Sequence, residues 1–243
     1  MRSAALSICV SIKNRSNVVT ESGPSGIFPL SVLSIEEASH QLADTGIELV
    51  VADFHSTDRP LEEWLNAATR LVHVKLLSLA GPFSRGGGLN VAARHATSER
   101  LFLCDADILV GPDAIRRAIE VIDSGRAWLP VFQCLDEQGN PNGWLDYGYG
   151  LVGVTKTLLS KVGGVPEFYS WGGEDDLLRD ALKAEVEVVR ERREDLRHQW
   201  HPEEQRDCHY IRPRGSDYAR VTAPPCEPSS EIAMRSVSYT HLR

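Results

Sequence analysis

No stretch of this 243-residue chain approaches the ~20 consecutive apolar residues that a membrane-crossing helix requires. There is no basic field either. Lys and Arg number 26 against 34 Asp and Glu, a formal charge of −8, which argues against nucleic acid as the main partner. The five cysteines (Cys9, Cys104, Cys134, Cys208, Cys226) contain no CxxC pair, and their odd number argues against a disulfide framework. Cys9 and Cys104 lie in apolar runs and read as buried, reduced thiols. The first residues lack a signal-peptide pattern, because Met1–Arg2 leads into a short apolar run that soon meets Lys13–Asn14–Arg15. Together these absences lead us to expect a soluble cytoplasmic protein, with peripheral attachment to the inner face of a membrane left open. No internal repeat is present, and nothing in the sequence addresses oligomeric state.

What is present is ordinary globular composition, 42% hydrophobic and 25% charged, enough for a sizeable core. Leu6–Ile12 reads as a first strand, followed by a loop with Gly23, Pro24, Gly26 and Pro29. Ser34 with Glu37 three residues on suggests a capping box, which starts a helix at Ser34 and ends it near Gly46. A strand over 47–51, a helix from 60 or 61 to about 70 and a strand over 72–79 come next. Residues 82–88 read as a flexible glycine-rich loop before a helix from about Leu89 to Ala96. After the run 100–110, Pro112 opens a helix that Gly125 closes. Residues 127–134 and 144–152 read as strands forming an edge hairpin, 155–162 as a short helix, 174–183 as another helix and 186–189 as a strand. Strand–helix alternation of this kind predicts an α/β fold with a mostly parallel central sheet flanked by helices and a small antiparallel edge. We expect one domain over 1–212. Residues 213–243, rich in Pro, Gly and Ser at their start, read as a disordered tail whose last residues look like a read-through scar.

In sheets of this class ligands gather beyond the carboxyl ends of the strands. Asn14–Arg15, Asp53–Asp58 and Asp105–Asp107 each follow a predicted strand, so the three polar clusters should line one crevice. The centre is Arg100–Val110, RLFLCDADILV. In extended chain, residues i and i+2 share a face, so Asp105 and Asp107 could project together. Two adjacent like charges need a cation or a shared proton; the plain alternative is a pair of solvated turn aspartates.

Such a pair suits magnesium or manganese bound together with phosphate oxygens, and an imidazole ligand would favour manganese. His201, bracketed by Trp200 and Pro202, is the first choice for that imidazole and His198 the fallback. A metal so placed would neutralise a departing diphosphate. A base must then deprotonate the attacking hydroxyl, and Asp175, beside Glu174 after Gly172–Gly173, is the candidate. The acidic residues 174–176 also have a purely structural account, since carboxylates in a first helical turn suit the helix dipole. Trp171 offers either a face for a sugar ring or simply a core or rim tryptophan.

The series KNRS, VVADFHSTD, FSRGGGLNVAARHA, LFLCDADIL, GGVPEFYSWGGEDDLL and HQWHP resembles the inverting, metal-dependent GT-A glycosyltransferases of family 2. The WGGEDD segment is similar to the C-terminal region of β-1,4-galactosyltransferases and to chondroitin-type polymerases. The resemblance covers Leu6 to Pro202. It implies a nucleotide-diphospho-sugar transferase fold and transfer of a sugar, from a UDP-sugar of galactose or N-acetylgalactosamine type, to an acceptor hydroxyl in polysaccharide or glycoconjugate synthesis. On the donor side it implies Asn14, Arg15, Asp53, Asp58, Arg85, Asn90 and Asp105. For the metal, with Mn2+ favoured over Mg2+, it implies Asp107, Asp105 and His201. It makes Asp175 the base with Glu174 its neighbour, and places Trp171, Gly172, Gly173 and Tyr149 around the acceptor.

Two departures stand out. The family's usual DDGSTD is ADFHSTD here, with Phe54 and His55 in place of an acid and a glycine. The Gly86–Gly88 run is no P-loop, because GK[ST] is missing. Two other functions fit parts of the pattern. A sugar-phosphate nucleotidyltransferase would need a glycine-rich loop where Lys13–Ser16 stands. A catalytically silent sugar- or nucleotide-binding module would be expected to lack one of the acids or the histidine.

Overall fold

The computed structural model describes residues 4–20, 23–42, 45–168, 173–202 and 235–236. Its centre is β1 (Leu6–Ile12), buried along all seven residues. β1 pairs in parallel with β4 (Ile47–Asp53) on one side and β6 (Arg100–Cys104) on the other. Alternate residues of these strands enter two different cores. Leu6, Ile8, Val10, Leu49, Val51 and Phe102 face α1 (Ile27–Gln41), α2 (Leu61–Ala68) and α4 (Pro112–Asp123). Cys9, Val50, Ala52, Leu101 and Leu103 face α3 (Arg85–His95), α5 (Lys156–Lys161) and α6 (Glu174–Glu185). A sheet covered on both faces explains why these strands are continuous apolar runs. Each fully buried aliphatic side chain contributes about 1.5–3 kcal/mol.

The large sheet continues through β5 (His73–Ser78), parallel to β4, and on the other flank through β11 (Val152–Thr155), β8 (Ala127–Trp128) and β12 (Val188–Val189). β11 runs antiparallel to both β6 and β8, which supplies the expected antiparallel edge. A second, four-stranded sheet contains β10 (Pro141–Trp144), β9 (Val131–Leu135), β13 (Arg192–His198) and β7 (Ile108–Val110). A small hairpin pairs β2 (Val18–Thr20) with β3 (Gly23–Ser25). Of residues 213–243 only the backbone of β14 (Arg235–Ser236) is described, antiparallel to β5; the rest of the expected tail lies outside the described residues. Among the described residues no helix is long and apolar enough to cross a membrane, and Cys9, Cys104 and Cys134 are free.

Several local expectations are corrected. α1 begins at Ile27, not Ser34, and ends at Gln41. Pro29 is tolerated in the first turn, where no N–H is required. The Ser34 hydroxyl does not cap; it donates to the Ser31 carbonyl at 2.7 Å and accepts from the Val110 N–H at 2.9 Å. Nor are residues 86–88 a flexible loop. They are the first turn of α3, capped by Ser84, whose Oγ accepts from the Gly87 N–H at 3.1 Å. Glycine is required there for contact: a Cβ at Gly86 would lie 2.0 Å from the Pro166 carbonyl oxygen, and one at Gly88 would lie 2.1 Å from Ser11 Oγ. Residues 127–134 divide between the two sheets as β8 and β9, with Pro130 between them. Residues 145–151 are not strand, and β10 and β11 flank them in different sheets. No apolar alternation marks β13 in the sequence, because Leu196 is the one residue of RREDLRH that is buried.

Candidate active site

The carboxyl ends of β6, β1 and β4 lie side by side, and two loops there are sewn together. Asn14, at φ 54°, donates its N–H to Ser56 Oγ at 2.9 Å and accepts from the Thr57 N–H through Oδ1 at 2.8 Å. Asp53 Oδ1 accepts from the Ser56 N–H at 3.0 Å and hydroxyl at 2.6 Å. Burial pushes the Asp53 carboxyl up, and the Ser56 bonds work against that. Asp58 Oδ2 accepts from the Asn17 N–H at 2.7 Å, and the Arg15 carbonyl accepts from the Phe28 N–H at 2.9 Å. The replaced positions are both accommodated: Phe54 is buried against Phe83, and His55 takes a positive φ of 55°.

Asp105–Ala106–Asp107 is the link by which the chain leaves β6 in the large sheet and enters β7 in the small one. Ala106 and Asp107 form a turn, so the i, i+2 rule of an extended strand does not apply and the two carboxylates find different partners. Asp105 Oδ1 accepts from Arg85 Nε at 2.6 Å. The same guanidinium donates to the Gly150 carbonyl at 2.5 Å and stands 3.7 Å from Glu174 Oε1. A side chain at Gly150 would fall 2.6 Å from Asp105 Oδ2, so glycine leaves room for this pair. Burial and the neighbouring Asp107 charge push the Asp105 carboxyl up, against the pull of Arg85. Glu174, with its Oε2 buried and unbonded, is also pushed up by burial and pulled down by Arg85. The Arg85 guanidinium holds its proton more tightly than usual, because its acidic neighbours, Asp105 first, outweigh the cost of burial.

Asp107 faces the other way. Its Oδ2 lies 3.2 Å from His201 Nε2 and 3.6 Å from His198 Nε2. One ligand atom from each of the three residues falls within 4.8 Å of the others. Burial pushes the Asp107 carboxyl up, but the imidazoles, His198 ahead of His201, hold it well below the usual carboxylate range. Its Oδ1 is buried with no hydrogen-bond partner. One carboxylate and two imidazoles with a spare buried oxygen fit a divalent first-row cation. First choice and fallback histidine therefore sit on Asp107 together. Asp105, also expected among the ligands, lies outside this group and is bound to Arg85.

Asp175 lies in the first turn of α6 behind Gly173, whose φ of 94° is a left-handed conformation natural to glycine. Its Oδ2 accepts from the Tyr149 N–H at 3.1 Å and its Oδ1 from the Asp176 N–H at 3.0 Å. Guanidiniums of Arg190 and Arg179 lie over the Tyr149 ring, 4.2 and 4.4 Å from its centroid, and Arg179 is itself paired with Asp176 and Asp180. Arg190 also donates to the carbonyls of Leu129, Asp146 and Gly148, and so pins the 145–151 segment. Asn90 is committed to structure: its carboxamide bonds Val165 at both N–H and carbonyl, and Glu167 Oε1 at 3.1 Å. Trp171 and Gly172 lie outside the described residues.

The sequence reading missed Arg190, Arg179, Ser31 and Gln199. Gln199 carried a signal, since it stands between the two candidate histidines; the others act across distances in sequence that no local pattern spans.

The family model described as glycosyl transferase family 2 matches residues 32–158. Over 185 residues the chain is 36% identical to N-acetyl-beta-glucosaminyl-glycoprotein 4-beta-N-acetylgalactosaminyltransferase 1 of Mus musculus, a match covering 71% of this chain. It spans only 17% of that protein's length. S. aureus TarS 1–349 in complex with UDP-GlcNAc superposes with a TM-score of 0.64 at 18% identity, over 85% of this chain and 61% of that 1–349 chain. A mannosyltransferase from Pyrobaculum calidifontis in complex with GDP-Man and Mn2+ superposes with a TM-score of 0.55 at 17% identity, over 84% of this chain and 59% of its own. The expected GT-A architecture is the one these structures share.

Proposed function

This chain belongs to glycosyl transferase family 2, and from that premise we propose that it transfers a sugar from a nucleoside-diphospho-sugar to an acceptor hydroxyl with inversion. The single observation that carries the reading is the pairing, at one turn, of a cation-type cluster (Asp107, His198, His201) with an acid–arginine cluster (Asp105, Arg85, Glu174). We take residues 1–212 as the catalytic domain. The donor is a UDP-sugar, and N-acetylgalactosamine is the sugar favoured by the named activity of the mouse relative. The acceptor is a glycan.

Asp107, His198 and His201 hold a divalent cation, Mn2+ ahead of Mg2+. Such an ion supplies charge neutralisation for a leaving diphosphate. We assign Asn14, Arg15, Asp53 and Asp58 to the nucleotide, and Arg85 and Asp105 to the rest of the donor. Asp175, oriented by the Tyr149 and Asp176 N–H groups, accepts the acceptor's hydroxyl proton as that oxygen attacks the anomeric carbon. We assign the acceptor-side roles to Glu174, Gly173 and Tyr149, together with Trp171 and Gly172, which lie outside the described residues.

The experiment is a panel of nucleotide sugars incubated with the chain, Mn2+ and glycan acceptors, reading release of the nucleoside diphosphate. Release from a UDP-sugar that stops with EDTA and returns with Mn2+ is the expected result. In Asp175→Asn we expect donor binding to persist while turnover falls by about 10²–10⁴-fold. Turnover undiminished in EDTA would remove the metal from the proposal, and turnover undiminished in Asp175→Asn would remove the base.

A further inference from the structure

Two buried side chains brace the turn between β6 and β7 from beneath. Gln199 Nε2 donates to the Ile27 carbonyl and to Ser31 Oγ, each at 2.9 Å. Ser31 Oγ donates in turn to the Ala106 carbonyl at 2.9 Å. The backbone N–H of Gln199 donates to the Asp107 carbonyl, again at 2.9 Å. The ends of this chain of bonds fix its direction. Carbonyl oxygens only accept, so the amide presents its NH2 to Ile27, and the Ser31 hydroxyl favours the Ala106 carbonyl at 2.9 Å over the Ile27 carbonyl at 3.3 Å.

The network joins three pieces that meet nowhere in sequence. Ser31 comes from α1, Ala106 and Asp107 form the link between the two sheets, and Gln199 lies between His198 and His201. Both side chains are buried. Apolar residues here would leave the Ala106 carbonyl without its donor, and the place of the network beneath the cation cluster gives the polar groups a reason beyond stability. The adjacent Asp107 Oδ1 is sealed from solvent and accepts nothing. Holding the backbone on both sides of Asp107 and at Gln199 keeps that carboxylate and the two imidazoles in one register.

We infer that Gln199 and Ser31 are positioning residues for the divalent-cation site, an inference resting on the reading of Asp107, His198 and His201 as that site. Partners that orient metal ligands without touching the metal typically change affinity by about 10–100-fold when removed.

The test is titration of the full chain with Mn2+, free Mn2+ being read by electron paramagnetic resonance, with no sugar nucleotide present. Wild type is compared with Gln199→Leu, Ser31→Ala, the double variant and Ser31→Thr, and each is also melted in EDTA. We expect each single loss to weaken Mn2+ binding about 10–100-fold. We expect the double variant to bind no more weakly than the worse single variant, because both act through one chain of bonds. Ser31→Thr keeps the hydroxyl and should bind as wild type does. Wild-type affinity in Gln199→Leu and Ser31→Ala overturns the inference, and so do losses that multiply in the double variant. Should Gln199→Leu melt early in EDTA, the Ser31 pair decides: a loss in Ser31→Ala restored in Ser31→Thr at equal melting temperature supports positioning, and any other pattern overturns it. A wild-type chain that fails to bind Mn2+ overturns the metal reading itself, an outcome visible before any substitution is compared.

Discussion

Asp105 and Asp107 are two residues apart in sequence, yet the fold gives them opposite settings. Asp105, at the end of the large sheet, is bonded to Arg85 and keeps a raised pKa. Asp107, at the entrance to the small sheet, faces two imidazoles and is held strongly ionised. A motif written as DAD therefore spans two sets of partners, and the division falls where the chain passes from one sheet to the other. The difference also separates the sugar side of the proposed reaction, built around Arg85 and Glu174, from the cation side.

The largest expected effect breaks this comparison at its cation half. Asp107→Asn should lose Mn2+ binding and reduce turnover on the order of 10³-fold, the several kcal/mol a catalytic metal contributes. Asp105→Asn should leave Mn2+ affinity in solution near wild type. If both variants lost Mn2+ equally, the two aspartates would share one job and the division would fail.

A third carboxylate calibrates the pair. Glu48, at the opposite end of β4, is buried and accepts from the Ser7 hydroxyl at 2.5 Å and the Thr97 N–H at 2.7 Å, with Lys75 Nζ at 3.3 Å. Burial pushes its carboxyl up, but these partners outweigh it, and the net shift is downward from 4.5. A carboxyl with a lower pKa in the folded than in the unfolded chain stabilises above the unfolded value and loses that contribution as pH falls through the folded one. Glu48→Gln should therefore cost about 2 kcal/mol at neutral pH. That deficit should shrink as pH is lowered below about 4.5, when measured by denaturant unfolding, with no change in Mn2+ affinity. A change in Mn2+ affinity would show that a purely structural carboxylate can mimic the effect sought at Asp107.

The smallest effect sharpens the sugar half. Gly150→Ala puts a methyl 2.6 Å from Asp105 Oδ2 and 3.2 Å from an Arg85 nitrogen. Displacing one charged hydrogen bond costs about 1.5–3 kcal/mol. We expect donor affinity, measured by calorimetry with a UDP-sugar, to fall about tenfold, while Mn2+ affinity is unchanged.

The large sheet was readable because its strands are buried on both faces and therefore form apolar runs. Leu6–Ile12 was delimited to the residue, and the polar clusters at the ends of β1, β4 and β6 do lie at one edge. The small sheet was largely unreadable. β13 is charged along most of its length, and β9 follows β8 so closely that one apolar run concealed two strands in different sheets. The glycines of α3 misled for a related reason. Their local conformational freedom suggested a loop, while close packing against Pro166 and Ser11 is what selects them.

Sequence by itself determined the α/β class and the order β1, α1, β4, α2, β5, α3 and β6 around the parallel core, and it marked the acids and histidines to which the proposed cation and proton roles are assigned. Those depend on residue type and on periods of two or 3.6, which are local. Tertiary structure alone decided that Asp105 belongs with Arg85 and Asp107 with His198 and His201. It also decided that Tyr149 reaches Asp175 through its backbone, and that Ser31 and Gln199, 168 residues apart, share a hydrogen bond under the turn. Each of those pairings depends on which strand ends become neighbours, and that is fixed only when both faces of the sheet are packed.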